Sequence, residues 1–119
     1  MKRRAISLIA AGLLIAGAIA GCIYVGNIRP VAAIFAAPTA GPSPLAVNFS
    51  AAGSTDADGL IAAYHWDFGD GQTPSVTAVV SHTYTVQSDS RVFTVILTVT
   101  DDLGGTDQAA VNIAVDPSP

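Results

Sequence analysis

Nine aspartates, two histidines and one cysteine are the side chains of this 119-residue chain best suited to chemistry, and it has no glutamate. Four of the carboxylates come as two close pairs. Asp56 and Asp58 lie in Gly53-Ser54-Thr55-Asp56-Ala57-Asp58-Gly59, and Asp101 and Asp102 stand just before Gly104. Neither pair has a lysine or arginine beside it, so a hard divalent cation is one way to relieve the repulsion; calcium takes about six to eight oxygen ligands. The other reading is that Asp56, Asp58 and Asp101 cap turns through side-chain to backbone hydrogen bonds, with Gly59 supplying a positive φ. The dedicated 12-residue calcium loop is absent. His65 and His82 have neither a cysteine nor a second histidine at metal-ligand spacing, which favours a solvent-facing or hydrogen-bonded role. Ser81 and His82 are adjacent on a strand pattern, so their side chains point to opposite faces and cannot meet as nucleophile and base. No enzyme is expected.

Cys22 is alone, so no disulfide within the chain is expected. It follows Lys2-Arg3-Arg4 and the uncharged, apolar stretch 5–25, the pattern of an export signal or a membrane anchor. Ile19-Ala20-Gly21-Cys22 resembles a bacterial lipobox. That resemblance implies that the Cys22 thiol takes up a diacylglycerol and that residues 1–21 are then removed. Two or three acyl chains, at about 0.8 kcal/mol per buried methylene, would hold the protein on a membrane stably. Two alternatives stand beside this one. Residues 5–25 are long enough to be an uncleaved transmembrane helix, in which Cys22 is incidental. They also suit a pilin-like filament helix, although Gly12, Gly17, Gly21 and Gly26 and the short run count against it. In the first two readings the basic residues stay cytoplasmic and the remainder lies outside. Residues 22–30 read as a tether, and the eight residues from Ile23 to Pro30 reach at most ~28 Å.

The elements that must position the aspartates are strands. Residues 61–68 alternate, with Ala62, Tyr64, Trp66 and Phe68 on one face. Residues 92–100 do so more clearly, with Phe93, Val95, Leu97 and Val99 inward. Strands are also expected over 31–36, over 45–50 with Leu45, Val47 and Phe49 inward, weakly over 75–80 and 81–85, and over 106–115 with Ala109, Val111, Ile113 and Val115 inward. The proline- and glycine-dense stretch 37–44 is expected to break the first strand and protect a sheet edge. Gly69 and Gly71 flank Asp70 where the chain must reverse. Beyond the apolar leader no helix is expected.

Trp66-Asp67-Phe68-Gly69-Asp70-Gly71 resembles the central motif of the polycystin-type (PKD) domain. The Gly53 to Gly59 loop, His82-Thr83-Tyr84 and the Thr/Val strand 94–100 followed by Asp101 and Gly104 extend the match over about residues 31–116. Gln87-Ser88-Asp89-Ser90-Arg91 departs from the family's short Pro-Gly turn. The resemblance implies an all-β, immunoglobulin-like antiparallel β-sandwich behind a leader or anchor helix, with a leader at 1–21, a tether at 22–30, the domain at 31–116 and a tail at 117–119. In such a sandwich the second-to-third loop and the last hairpin lie at one end. That would gather Asp56, Asp58, Asp101 and Asp102 into a candidate calcium site beside the point where the chain enters, and some family members bind calcium. No cofactor is required by this reading. Tyr84 resembles a tyrosine corner and is expected to be structural.

Past residue 21 only Arg29 and Arg91 oppose nine aspartates, a formal charge of −7 from two positive and nine negative groups. This gives no basic patch for phosphates and argues against nucleic acid as a partner. The family resemblance implies a non-catalytic module that mediates contacts on cell surfaces. The expected function is a membrane-tethered binding or adhesion module on the extracytoplasmic side, with protein partners ahead of carbohydrate because Phe35, Phe49, Tyr64, Trp66, Phe68 and Phe93 are all expected inward. A filament subunit is the alternative. Asn48-Phe49-Ser50 is a glycosylation sequon, relevant only in a host that modifies it.

Overall fold

The structure, a computed structural model, describes residues 26–119. The expected leader helix and Cys22 lie outside the described residues. Seven strands follow: β1 (Phe35–Ala37), β2 (Ala40–Pro42), β3 (Leu45–Ser50), β4 (Ile61–Asp67), β5 (Val79–Tyr84), β6 (Arg91–Asp101) and β7 (Thr106–Asp116). They form a three-stranded sheet, β1-β3-β5, and a four-stranded sheet, β2-β7-β6-β4. Every pairing is antiparallel except β2 with β7, which is parallel. No helix occurs among the described residues, and none of them forms a helix long and apolar enough to cross a membrane.

The core is the sum of the inward faces of β3, β4, β6 and β7. Val47, Phe49, Trp66, Val95, Leu97, Val99, Ile113 and Val115 are essentially removed from solvent, each aliphatic or phenyl group contributing about 1.5–3 kcal/mol of burial. A line of rings runs through it. Trp66 packs on Phe49 (centroids 5.5 Å), Phe49 on Phe68 (5.7 Å), Phe68 stacks on His82 (4.0 Å), His82 meets Tyr84 edge-on (4.7 Å), and Tyr84 stacks on Phe93 (4.7 Å). The Trp66 indole N–H donates to the Thr77 carbonyl at 2.8 Å, so burying it leaves no orphan donor.

Four local expectations change. The first strand is shorter than 31–36: Val31 only bridges Thr55, and ladder pairing begins at Phe35. Stretch 37–44 does end β1, because Pro38 cannot donate to the ladder, but it then contributes β2 to the opposite sheet, against Ala114 to Asp116 of β7. Residues 75–78 make a loop touching β4 at a single bridge, Trp66 with Ser75. In β4 a register shift between Ile61 and Ala63 makes Ala62 the extra residue, so it turns outward while Ile61 packs on the core.

β6 spans the domain from Arg91 to Asp101, about 33 Å at ~3.3 Å per residue. Its last residue sits with the β3–β4 loop, and its first pairs with Val115 near the C-terminus. The sandwich therefore has two chemically different ends.

Candidate functional site

At one end, the β3–β4 loop supplies Asp56 and Asp58 and the β6–β7 turn supplies Asp101 and Asp102. Oxygens of Asp56, Asp58 and Asp101 lie within 4.8 Å of one another. Asp102 stands beside this trio without joining it. A Cβ placed on Gly59 would lie 2.8 Å from Asp102 Oδ1 and 3.2 Å from Asp56 Oδ2. Gly59 does not take the positive φ expected of it; Gly69, Gly71 and Gly104 do. Its requirement for glycine comes from the carboxylates that crowd it.

The three central carboxylates are held differently. Asp101 is buried and both its oxygens are bonded: Oδ1 accepts from the Leu103 N–H (2.9 Å) and the Gly105 N–H (2.7 Å), and Oδ2 accepts from Asn27 Nδ2 (2.6 Å), which leaves Oδ2 an acceptor site to spare. The Asn27 bond, with help from the Gly105 and Leu103 amides, holds its pKa below the usual carboxylate value despite desolvation. Asp58 Oδ2 accepts the Ile28 N–H at 2.9 Å. Asp101 thus caps its turn, while Asp58 anchors the incoming chain. Asp56 does neither, since both its carboxylate oxygens are buried with no hydrogen-bond partner. Removal from water first, then the close approach and charge of the Asp58 carboxylate and the charge of Asp101, push its pKa up.

A buried carboxylate with no donor is costly, and this one faces two more carboxylates. The oxygen-only, triply acidic donor set fits a hard divalent cation such as calcium. Asp56, Asp58 and Asp101 would hold it, with Asp102 within reach of the cluster's rim. Sequence reasoning did not find Asn27 and Ile28, which lie in the stretch read as a tether yet bond to Asp101 and Asp58. Ala32 N–H also donates to Asp107 Oδ2 (2.8 Å), so the incoming chain is sewn to the acidic end at successive points.

At the other end the buried polar groups are paired within the protein. The Tyr84 hydroxyl donates to the Phe68 carbonyl at 2.9 Å, and burial raises the phenol pKa well above its ordinary value, with the Asp70 and Asp67 charges adding to it. His82 Nε2 lies 2.6 Å from Asp70 Oδ2, and Asp70 Oδ1 accepts the Gln72 N–H at 3.1 Å. The buried Ser43 hydroxyl accepts the Val86 N–H at 3.0 Å. Ser81 is exposed on the face opposite His82. His65 is exposed on β4.

Phe35 corrects the expectation that every phenylalanine faces inward: it is 68% exposed on β1. Its neighbour Ala36 lies opposite Phe49 and takes the core side instead.

The model of the PKD domain family matches residues 27–115. The chain is 42% identical over 90 residues to the pre-pro-metalloprotease PrtV of Vibrio cholerae, covering 76% of this chain and 9% of PrtV. It is 42% identical over 69 residues to collagenase ColA of Clostridium perfringens, covering 58% and 6%. The chain thus spans less than a tenth of these curated relatives. Among solved structures, the PKD1 domain of V. cholerae PrtV superposes with a TM-score of 0.63 at 38% identity, covering 75% of this chain and 99% of that one. A structure described for the promiscuous specificity of carbohydrate-binding modules of the β-sandwich superfamily gives 0.70 at 30% identity, covering 78% and 36%. With the sandwich, the Trp66 to Gly71 turn and the Tyr84 tie in place, the match over residues 27–115 means that this chain belongs to the PKD domain family.

Proposed function

We propose that the protein is a non-catalytic, extracytoplasmic binding module, tethered to a membrane through a lipid on Cys22 or through its apolar leader, and that it makes protein contacts on a cell surface. The observation that carries this reading is where the charges are not. The outer face of β1-β3-β5 presents Phe35, Ser50 and Val79 in one row and Ala37, Asn48 and Ser81 in the next, with no ionisable group in either. In a chain with nine aspartates, that leaves a flat surface whose burial desolvates no charge, suited to a neutral protein surface. At the acidic end, a calcium ion on Asp56, Asp58 and Asp101 would brace the domain against its tether.

Carbohydrate is the second reading. The exposed Phe35 ring favours it, as does the likeness to carbohydrate-binding modules.

The test places a photo-crosslinking side chain at Phe35, or at exposed Val92 on the opposite sheet, in cells of the source organism. Crosslinks to a protein from Phe35 alone, on a mature species that begins at Cys22 with added acyl mass, are expected. Replacing Cys22 by serine should remove that mass. Crosslinks from Val92 alone would put the contact on the wrong sheet. A chain still beginning at Met1 would replace the lipid with a transmembrane anchor, and one trimmed near Ala5 would favour the filament.

A further inference from the structure

The end of the domain away from the acidic cluster carries an open cavity of about 470 Å³, lined by Asp70, Gln72, Ser81, Thr83 and Arg91 among others. A second, of about 260 Å³, continues from it and shares Thr85 and Arg91. Together they make one elongated groove crossing Arg91, between the edge strand β5 and the start of β6.

The groups facing it are unspent. The Arg91 guanidinium lies over the Phe93 ring at 5.0 Å; among the described residues it makes no salt bridge, where the one ion pair is His82 with Asp70. The side chains of Gln72, Ser81, Thr83 and Thr85 likewise have no hydrogen-bond partner among the described residues, whereas Asp70 is fixed by His82 and the Gln72 amide. The groove thus offers a planar guanidinium, a planar amide and three hydroxyls, with Ser81, Thr83 and Arg91 fixed on strands.

The ligand chemistry follows by elimination. An apolar ligand would leave these groups unpaired at a desolvation cost. An anion would meet Arg91 but also Asp70 and Asp89, and a cation would meet Arg91. A neutral ligand bearing many hydroxyls pairs with all of them, and planar guanidinium and amide groups can reach two neighbouring hydroxyls at once. The groove's length suits several linked units rather than one.

We infer that the groove formed by Gln72, Ser81, Thr83, Thr85 and Arg91 binds a neutral oligosaccharide chain. This inference deepens the carbohydrate reading above and rests on it, but it places the sugar away from Phe35.

The full chain in detergent micelles would be titrated with cellotriose, xylotriose and triacetylchitotriose, with backbone amide shifts followed by NMR. At least one trisaccharide should shift Gln72, Ser81, Thr83, Thr85 and Arg91. Gln72→Ala and Arg91→Lys should each weaken it by about tenfold, the loss of one strong hydrogen-bonding group, with the melting temperature unchanged in Gln72→Ala. Phe35→Ser should leave the affinity unaltered. Binding lost in Phe35→Ser but kept in both groove variants would overturn the groove and leave the carbohydrate reading standing. No response to any of the three sugars would overturn both.

Discussion

The two ends of this sandwich hold similar numbers of carboxylates and treat them in opposite ways. At the end closed by Phe68, His82 and Tyr84, each buried polar atom described has a partner inside the protein: Tyr84 with the Phe68 carbonyl, Asp70 with His82, Ser43 with the Val86 amide. At the other end both Asp101 oxygens are bonded and Asp58 takes one amide, while half-buried Asp56 keeps both carboxylate oxygens shielded from water and unpaired beside two like charges. Polar atoms that satisfy one another hold a fold together. A shielded, unpaired carboxylate is a group that a divalent cation would satisfy. The two ends thus differ in whether their buried polar atoms are paired within the protein.

If the closed end is structural, breaking it should cost the most. Tyr84 is fully buried between His82 and Phe93. Tyr84→Ala should lower stability by about 3–5 kcal/mol, the cost of emptying an aromatic site. Tyr84→Phe keeps the ring but leaves the Phe68 carbonyl without its donor, and should cost about 1–3 kcal/mol. Urea unfolding of the full chain would measure both, and a Tyr84→Phe variant as stable as wild type would mean the hydroxyl ties nothing down.

The long strands between the ends, and the turn at Gly69, were more legible than the acidic end. Period-two alternation places Leu45, Val47 and Phe49, and Phe93 to Val99, because long strands with one buried face leave no freedom of register. Gly69 was readable for a like reason: its φ is 78°, and any side chain there would run into the Thr94 carbonyl. Phe35 was not readable. In a three-residue strand the facing is set by the partner, Ala36 against Phe49, rather than by the strand's own pattern. Ala62 was hidden by a bulge, which has no composition signal. At the acidic end the spacing of Asp56, Asp58 and Asp101 was informative, but Asn27 and Ile28 look like any linker residues. Their role depends on the chain doubling back onto Asp101, a contact 74 positions away in sequence.

The second way to sharpen the contrast is to supply what Asp56 lacks. Calcium that binds the folded acidic end stabilises it by mass action, by about 1.4 kcal/mol when free calcium is ten times its dissociation constant. The melting temperature should rise in millimolar calcium and return on chelation, with wild-type and Tyr84→Phe chains shifting alike because the two ends share no contact. Asp56→Asn should abolish the rise. A melting temperature indifferent to calcium would make the acidic end a repulsion the fold merely tolerates.

The smallest effect distinguishes the three aspartates from one another. Without calcium, the raised pKa of Asp56 means that the folded state takes up a proton before the unfolded chain does. Stability linked to Asp56 is therefore lowest at neutral pH and grows as the pH falls through its folded pKa towards the ordinary carboxylate value of 3.8. Asp101, held below that value, contributes stability that is complete above it and is lost on further acidification through its own depressed pKa. In EDTA the melting temperature should accordingly rise from neutral to mildly acidic pH and then fall. Asp56→Asn should remove the rise and keep the fall, because an amide in that position no longer repels Asp58 and Asp101 and has no proton to take up. Calcium should flatten the rise in the wild-type chain, since ion and proton compete for the same carboxylate. Identical pH profiles for wild type and Asp56→Asn would mean that Asp56 is solvated as an ordinary surface aspartate, and the distinction between the two ends would collapse.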